Sequence, residues 1–122
     1  MLHRRQTRRI PLLHDEVTLT LHGYVKTVRA NATDVSHGGM GLYLLERLAV
    51  GERLTITIGL WDARQQLHEE TIVAAIKWVR AKGHGYAAGI EFDRLDVMAQ
   101  PRLLAFLAQF ESATEPIPIG PA

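Results

Sequence analysis

Two short runs of this chain combine side chains that can grip an anion or a nucleobase. The first is Arg4-Arg5-Gln6-Thr7-Arg8-Arg9, four guanidinium groups within six residues. A guanidinium presents a planar fork of donors that pairs bidentately with phosphate or with the Hoogsteen edge of guanine, and it also stacks on base planes. The second run is Asp34-Val35-Ser36-His37-Gly38-Gly39, a carboxylate, a hydroxyl and two glycines in six residues. A carboxylate accepts two hydrogen bonds, which matches the N1–H and N2–H donors of guanine. The Ser36 hydroxyl and the glycine N–H groups can approach a phosphate or ribose closely, because no side chain stands in the way. Together the two runs read as a receptor for a guanine nucleotide. Separately they have plainer readings, a solvated basic terminus and an Asx turn that satisfies its own backbone.

Other chemistry finds little footing. The absence of Cys excludes disulfides, zinc ribbons, thiolate catalysis and iron–sulfur clusters. His3, His14, His22, His37, His68 and His84 show no pair at ligand spacing, so no metal is expected. Ser36 is preceded at the second position by Asp34, where a hydrolase elbow needs Gly. Gly38-Gly39-Met40-Gly41 lacks the Gly-Lys-Ser/Thr end of a phosphate-binding loop. No carboxylate pair stands out, and the chain is read as a non-enzyme without a cofactor.

The elements that must position these residues are mostly strands. Apolar and polar residues alternate through Val17–His22 and Leu54–Ile58, and further runs rich in apolar residues cover Tyr24–Thr33, Met40–Leu45, Thr71–Arg80 and Tyr86–Phe92. Gly23, the 34–39 run, Gly51, the 61–68 stretch and Lys82-Gly83-His84-Gly85 punctuate them. Six strands with no long helix between them must pair antiparallel, since parallel neighbours need crossovers of about a dozen residues or more. In 122 residues a small closed barrel hides the edges best. Leu103, Phe106, Leu107 and Phe110 then step along one helical face, with Pro101 suited to its first turn, so a helix is expected over 101–112. The expected fold is mainly β, a six-stranded antiparallel barrel with a C-terminal helix. The division is a flexible basic arm at 1–9, the barrel and helix at 10–112, and a disordered, proline-bearing tail at 113–122. Tryptophans in strands are usually buried packing, so Trp78 in the Thr71–Arg80 strand is favoured as a core residue.

The charge is unevenly spread. The net charge is +1, yet the arm alone holds four arginines, leaving ten basic against thirteen acidic residues. A cationic arm on a mildly acidic body seeks phosphate. No stretch approaches ~18 apolar residues, and the N-terminus lacks the apolar run of a signal peptide. A cytoplasmic, single-domain, monomeric protein with no membrane insertion is expected.

The arginine run and the glycine bend, in this order, resemble the PilZ domain family of bacteria. Arg5-Gln-Thr-Arg-Arg9 meets its Arg-x-x-x-Arg pattern, and Asp34, Ser36 and Gly39 meet its Asp/Asn-x-Ser-x-x-Gly pattern. Ile76-Lys-Trp78-Val79 and Gly85-Tyr-Ala-Ala-Gly89-Ile-Glu-Phe92 also look like the family, and the resemblance spans about residues 3–111. It implies a six-stranded barrel with a C-terminal helix and binding of the second messenger cyclic di-GMP. By the same resemblance Arg5 and Arg9 clamp guanine and phosphate, Asp34 bonds a guanine edge, Ser36 meets phosphate or guanine, and Gly39 keeps the turn open. Arg4, just before the motif, would reach a second ligand molecule, which favours an intercalated cyclic di-GMP dimer. Arg8, His37, Gly38 and Trp78 are secondary candidates; some relatives have an aromatic near Trp78 beside the ligand. The resemblance further implies relay to a partner protein, the ligand ordering a mobile arm. The alternative is a ligand-independent adaptor of the same fold, as in type IV pilus assembly, whose members generally lack the arginine pattern. Nucleic-acid binding is disfavoured, because stacking needs surface aromatics and the eight aromatics mostly fall at positions expected to be buried.

Overall fold

A computed structural model describes residues 12–110 and 115–119. Arg4, Arg5, Arg8 and Arg9, and with them the whole expected arm, lie outside the described residues. The elements run β1 (Leu12–Leu13), β2 (Glu16–Leu21), β3 (Lys26–Val35), β4 (Gly39–Leu44), β5 (Arg53–Trp61), β6 (Leu67–Lys82), β7 (Gly85–Phe92), α1 (Pro101–Leu107) and β8 (Ile117–Pro118). β2, β3, β4, β7, β6 and β5 pair in that order, each antiparallel to the next, and β5 returns to β2. The ring is therefore closed, which is how a small sheet removes its own edges. Short connections make this possible. Gly83, at φ 57°, supplies the left-handed first position of the two-residue turn between β6 and β7.

Alternation fills the barrel. Val17, Leu19 and Leu21 from β2, Leu54, Ile56 and Ile58 from β5, and Ile72, Ala74 and Ile76 from β6 are buried in one core with Leu42 and Ile90. Leu103, Phe106 and Leu107 of α1 join the same core. The helix N-terminus is held by the wall of the barrel. Glu70, buried on β6, accepts the Arg102 N–H at 2.7 Å and the Leu103 N–H at 3.0 Å. These are two of the donors that a first helical turn leaves without intrahelical partners. Gln100 adds a second latch, donating to the Thr71 carbonyl and accepting the Asp96 N–H.

Two expectations at the C-terminal end need correction. The helix stops at Leu107 rather than at 112, because the Gln109 and Phe110 N–H groups bond to carbonyls three residues back, those of Phe106 and Leu107. This tightening closes the last turn. The tail is not wholly free of structure either. β2 leaves β3 at the Glu16–Asn31 pair, and the chain before it runs beside β5 as β1. The end of β3 thereby loses a neighbour, and β8 takes the place, pairing Asp34 with Pro118 and Val35 with Ile117. Ile117 is buried there. Pro118, which has no N–H to donate, is tolerated because β8 is an edge strand.

Candidate ligand-binding site

The candidate residues are brought to the surface by two irregularities in the sheet. On β3, Val28, Ala30 and Ala32 point inward, and strict alternation would send Asp34 inward as well. A bulge between Ala32 and Asp34 in the pairing with β4 inserts one residue. Asp34 is turned to the outer face and Val35, fully buried, takes the inner one. On β6 the same thing happens. Ile72, Ala74 and Ile76 point inward, and a bulge between Ile76 and Trp78 reverses the phase. Trp78 is therefore not the buried packing residue that alternation predicts. It is 43% exposed, while Val79 packs partly against the core. An extra residue in one strand swaps the two faces beyond it.

Asp34 and Trp78 then lie in one row across four strands. Asp34 pairs with Gly41 on β4, Gly41 with Gly89 on β7, and Gly89 with Trp78 on β6. The outer walls of this row are separated by three strand spacings, roughly 14 Å. The two inner positions have no side chains. Both absences are needed. A Cβ on Gly89 would lie well inside contact distance of the Trp78 indole, and a Cβ on Gly41 would lie 2.8 Å from the Asp34 carboxylate. The Asp34 Oδ1 accepts the Gly41 N–H at 3.1 Å, and the Thr33 hydroxyl donates to Oδ2 at 3.4 Å. These bonds fix the carboxylate at the edge of the glycine floor. On the opposite wall the Arg80 guanidinium stands 5.0 Å from the centre of the Trp78 ring, a cation–π pair that stiffens both side chains. The result is a lane in which the Asp34 carboxylate lies over Gly41 at one side and the Trp78 indole, stacked with the Arg80 guanidinium, lies over Gly89 at the other.

The turn at the end of the lane is tightly tied. The Ser36 N–H donates to the Gly39 carbonyl at 2.9 Å, the Gly38 N–H to the Ser36 hydroxyl at 3.3 Å, and the Phe92 N–H to the Gly38 carbonyl at 2.8 Å. A Cβ on Gly39 would run into the Ile90 carbonyl of β7. Its glycine thus serves close packing of the turn on β7, not an open turn. Gly38 has open space around it, and His37 is exposed. The structure brings Asp34, Ser36, Gly39 and Trp78 to one side of the barrel. Sequence reasoning missed Gly41, Gly89 and Arg80. Glycines inside strands were the available signal, since they often mark a close approach of ligand or backbone, but only the register puts the two side by side. The expectation of buried aromatics also fails. Of the eight, Phe92 and Phe106 are buried, whereas Tyr24, Trp78 and Phe110 are exposed.

No curated protein matches this sequence. Among solved structures, the inhibitor of motility MotI/DgrA of Bacillus subtilis superposes with a TM-score of 0.59 at 17% identity, covering 88% of this chain and 52% of that one. The chain thus spans about half the length of that protein. The PilZ domain of YcgR from Escherichia coli, solved with c-di-GMP, superposes with a TM-score of 0.54 at 17% identity, covering 85% of this chain and 92% of that one. The family model for the PilZ domain matches residues 3–109, taking in the arginine run, the bulged strands, the glycine lane and the helix, and this chain belongs to the PilZ domain family.

Proposed function

We propose that this protein is a receptor for cyclic di-GMP that relays ligand binding to a partner protein. The observation that carries the reading is the pair of bulges that turns Asp34 and Trp78, both destined for the core by alternation, onto opposite sides of one glycine-floored lane. Bulges of this kind re-aim side chains beside binding sites. A purine placed in this row has the Asp34 carboxylate, seated over Gly41, for its N–H donors at one side and the Trp78–Arg80 pair, its indole seated over Gly89, for stacking at the other. The Ser36 hydroxyl serves the phosphate or guanine. Arg5 and Arg9 supply the phosphate and guanine clamp. Arg4 extends the clamp to a second molecule, giving an intercalated dimer.

The relay follows from charge. Four guanidinium groups within six residues repel one another, and a dianion bridging them to the barrel removes that repulsion. The N-terminal segment is fastened over the lane, and the surface so formed is what a partner reads. Isothermal titration with cyclic di-GMP tests this, with GTP, cyclic di-AMP and a short RNA as controls. Tight binding is expected for cyclic di-GMP alone. Arg5→Ala, Arg9→Ala and Asp34→Ala are each expected to weaken it by ~1.5–3 kcal/mol, the scale of a lost charged hydrogen bond. A folded protein that ignores cyclic di-GMP at micromolar concentration refutes the proposal.

A further inference from the structure

The far half of β6 has a backbone edge that no described strand covers. β5 pairs with β6 only as far as Arg53–Ala75, and two loop bonds at Ile76 extend that contact by one residue. From residue 77 to Lys82 the strand pairs with β7 alone. Among the described residues, no other backbone–backbone hydrogen bond reaches that stretch, and the Tyr43 hydroxyl donates to the Lys82 carbonyl at 3.1 Å. The two-residue turn at Gly83-His84 makes Lys82–Gly85 a hydrogen-bonded pair, so Arg80 also faces β7 and the N–H and C=O groups of Val79 and Ala81 face outward. An open row of this kind is a template for an added strand.

A cleft adjoins that edge. It measures about 350 Å³ and is lined by Tyr24, Arg47, Leu48, Val50, Glu52 and Val79, among others. Tyr24 and Val50 are 59% and 65% exposed on its rim. Next to Tyr24, Val25 sits at φ 42°, a left-handed conformation that a β-branched residue adopts only under strain. The tight β2–β3 turn thus holds apolar side chains out in water at a conformational cost.

The charge along the β6 edge itself selects the occupant; the carboxylate in the cleft lining, Glu52, accepts the Ala49 N–H at 3.4 Å. Arg47 lies over the Tyr86 ring and Arg80 over Trp78, and among the described residues neither is paired with a carboxylate. Lys82 is exposed, and Lys77 is bridged to Glu91 at 3.3 Å. A second copy of this chain paired along the same edge would bring these cations together, and a lysine-bearing edge resists such self-pairing. We propose that the edge of β6 from residue 77 to Lys82, with the Tyr24–Val50 cleft, docks an extended acidic segment of a partner protein as an added strand. Its backbone bonds to Val79 and Ala81, an apolar side chain enters the cleft, and its carboxylates meet Arg47, Arg80 and Lys82. This is the strand-addition mode of peptide recognition. It shares Arg80 with the lane, but its test stands apart from the cyclic di-GMP reading, because it uses the protein without ligand.

The test is a random peptide library displayed on phage and panned on the purified protein without nucleotide. Winning sequences are expected to alternate apolar and acidic residues. Their synthetic peptides are expected to slow amide exchange at Val79 and Ala81 selectively. Ala81→Pro removes one outward N–H and is expected to weaken binding at least about tenfold. Val50→Asp, which leaves β6 untouched, is expected to do the same should the proline variant fail to fold. Winners without acidic enrichment, winners that protect amides elsewhere, or winners that bind Val50→Asp as well as the parent each overturn the proposal.

Discussion

Gly89 shows how much a missing side chain can decide. Its bare Cα leaves the space that the Trp78 indole fills. Gly89→Ala is expected to push the indole off its seat and weaken cyclic di-GMP binding by about tenfold or more, ~1.4 kcal/mol, in the titration above. Gly38→Ala, at a position with open space, is expected to leave affinity within about twofold, well under that scale. Gly39→Ala acts on stability instead. Its methyl group meets the β7 backbone, and the unfolding free energy in urea is expected to fall by ~1–3 kcal/mol, the usual scale of overpacking. Asp62 carries a pH dependence of its own. The Gln66 N–H first, and then the His68 ring at 2.7 Å, hold its carboxyl down at about 2 from the ordinary 3.8. A lowered carboxylate contributes stability above its unfolded value and loses it as pH falls through the folded one. Acidification from about pH 4 to pH 2 is therefore expected to loosen the β5–β6 turn. Amide spectra of Arg64 and Gln66 follow it, and a midpoint near 4 contradicts the assignment.

Helix α1 depends on a residue that lies far from it in the chain. With seven residues it is too short to persist by its own propensity. Its first turn has no side-chain cap from Gln100. The buried carboxylate of Glu70 takes that role, and it couples β6 to the helix. Glu70→Ala is expected to lower stability by ~1–3 kcal/mol, because the buried Leu103 N–H and the part-buried Arg102 N–H lose their acceptor. Glu70→Gln keeps one acceptor oxygen and is expected to fall between the two. Urea unfolding compares the three proteins, and equal stability for Glu70→Ala and the parent refutes the latch. The bulges act at the same scale. Each changes which face of a strand is wet, and each does so one or two residues before a side chain of the lane.

The barrel as a whole is one closed ring with a single core, and no seam divides it. Unfolding is therefore expected to be a single cooperative event. Trp61 ends β5, and Trp78 lies on the far half of β6. The variants Trp61→Phe and Trp78→Phe, each leaving one tryptophan as reporter, are expected to lose fluorescence at the same urea midpoint once their own stability shifts are matched by circular dichroism. Midpoints at which fluorescence and circular dichroism disagree reveal a separable part. Much of this molecule was legible in its residues. Alternation in Val17–Leu21 and Leu54–Ile58 identified strands, the short connections required antiparallel pairing, and the order of the arginine run and the Asp34–Gly39 bend pointed to one family. The tail was misread because Ile117 is buried only where β2 abandons the end of β3, a vacancy that no local pattern records. Trp78, expected in the core as strand tryptophans usually are, is exposed because a bulge in the β6–β7 ladder turns it outward. Side-chain type and spacing are local properties, so the chain alone determined which residues are candidates for binding and which segments extend. Register, bulges and the juxtaposition of Gly41 with Gly89 arise from hydrogen bonds between strands far apart in sequence, so only the folded barrel decided which of those residues share a surface.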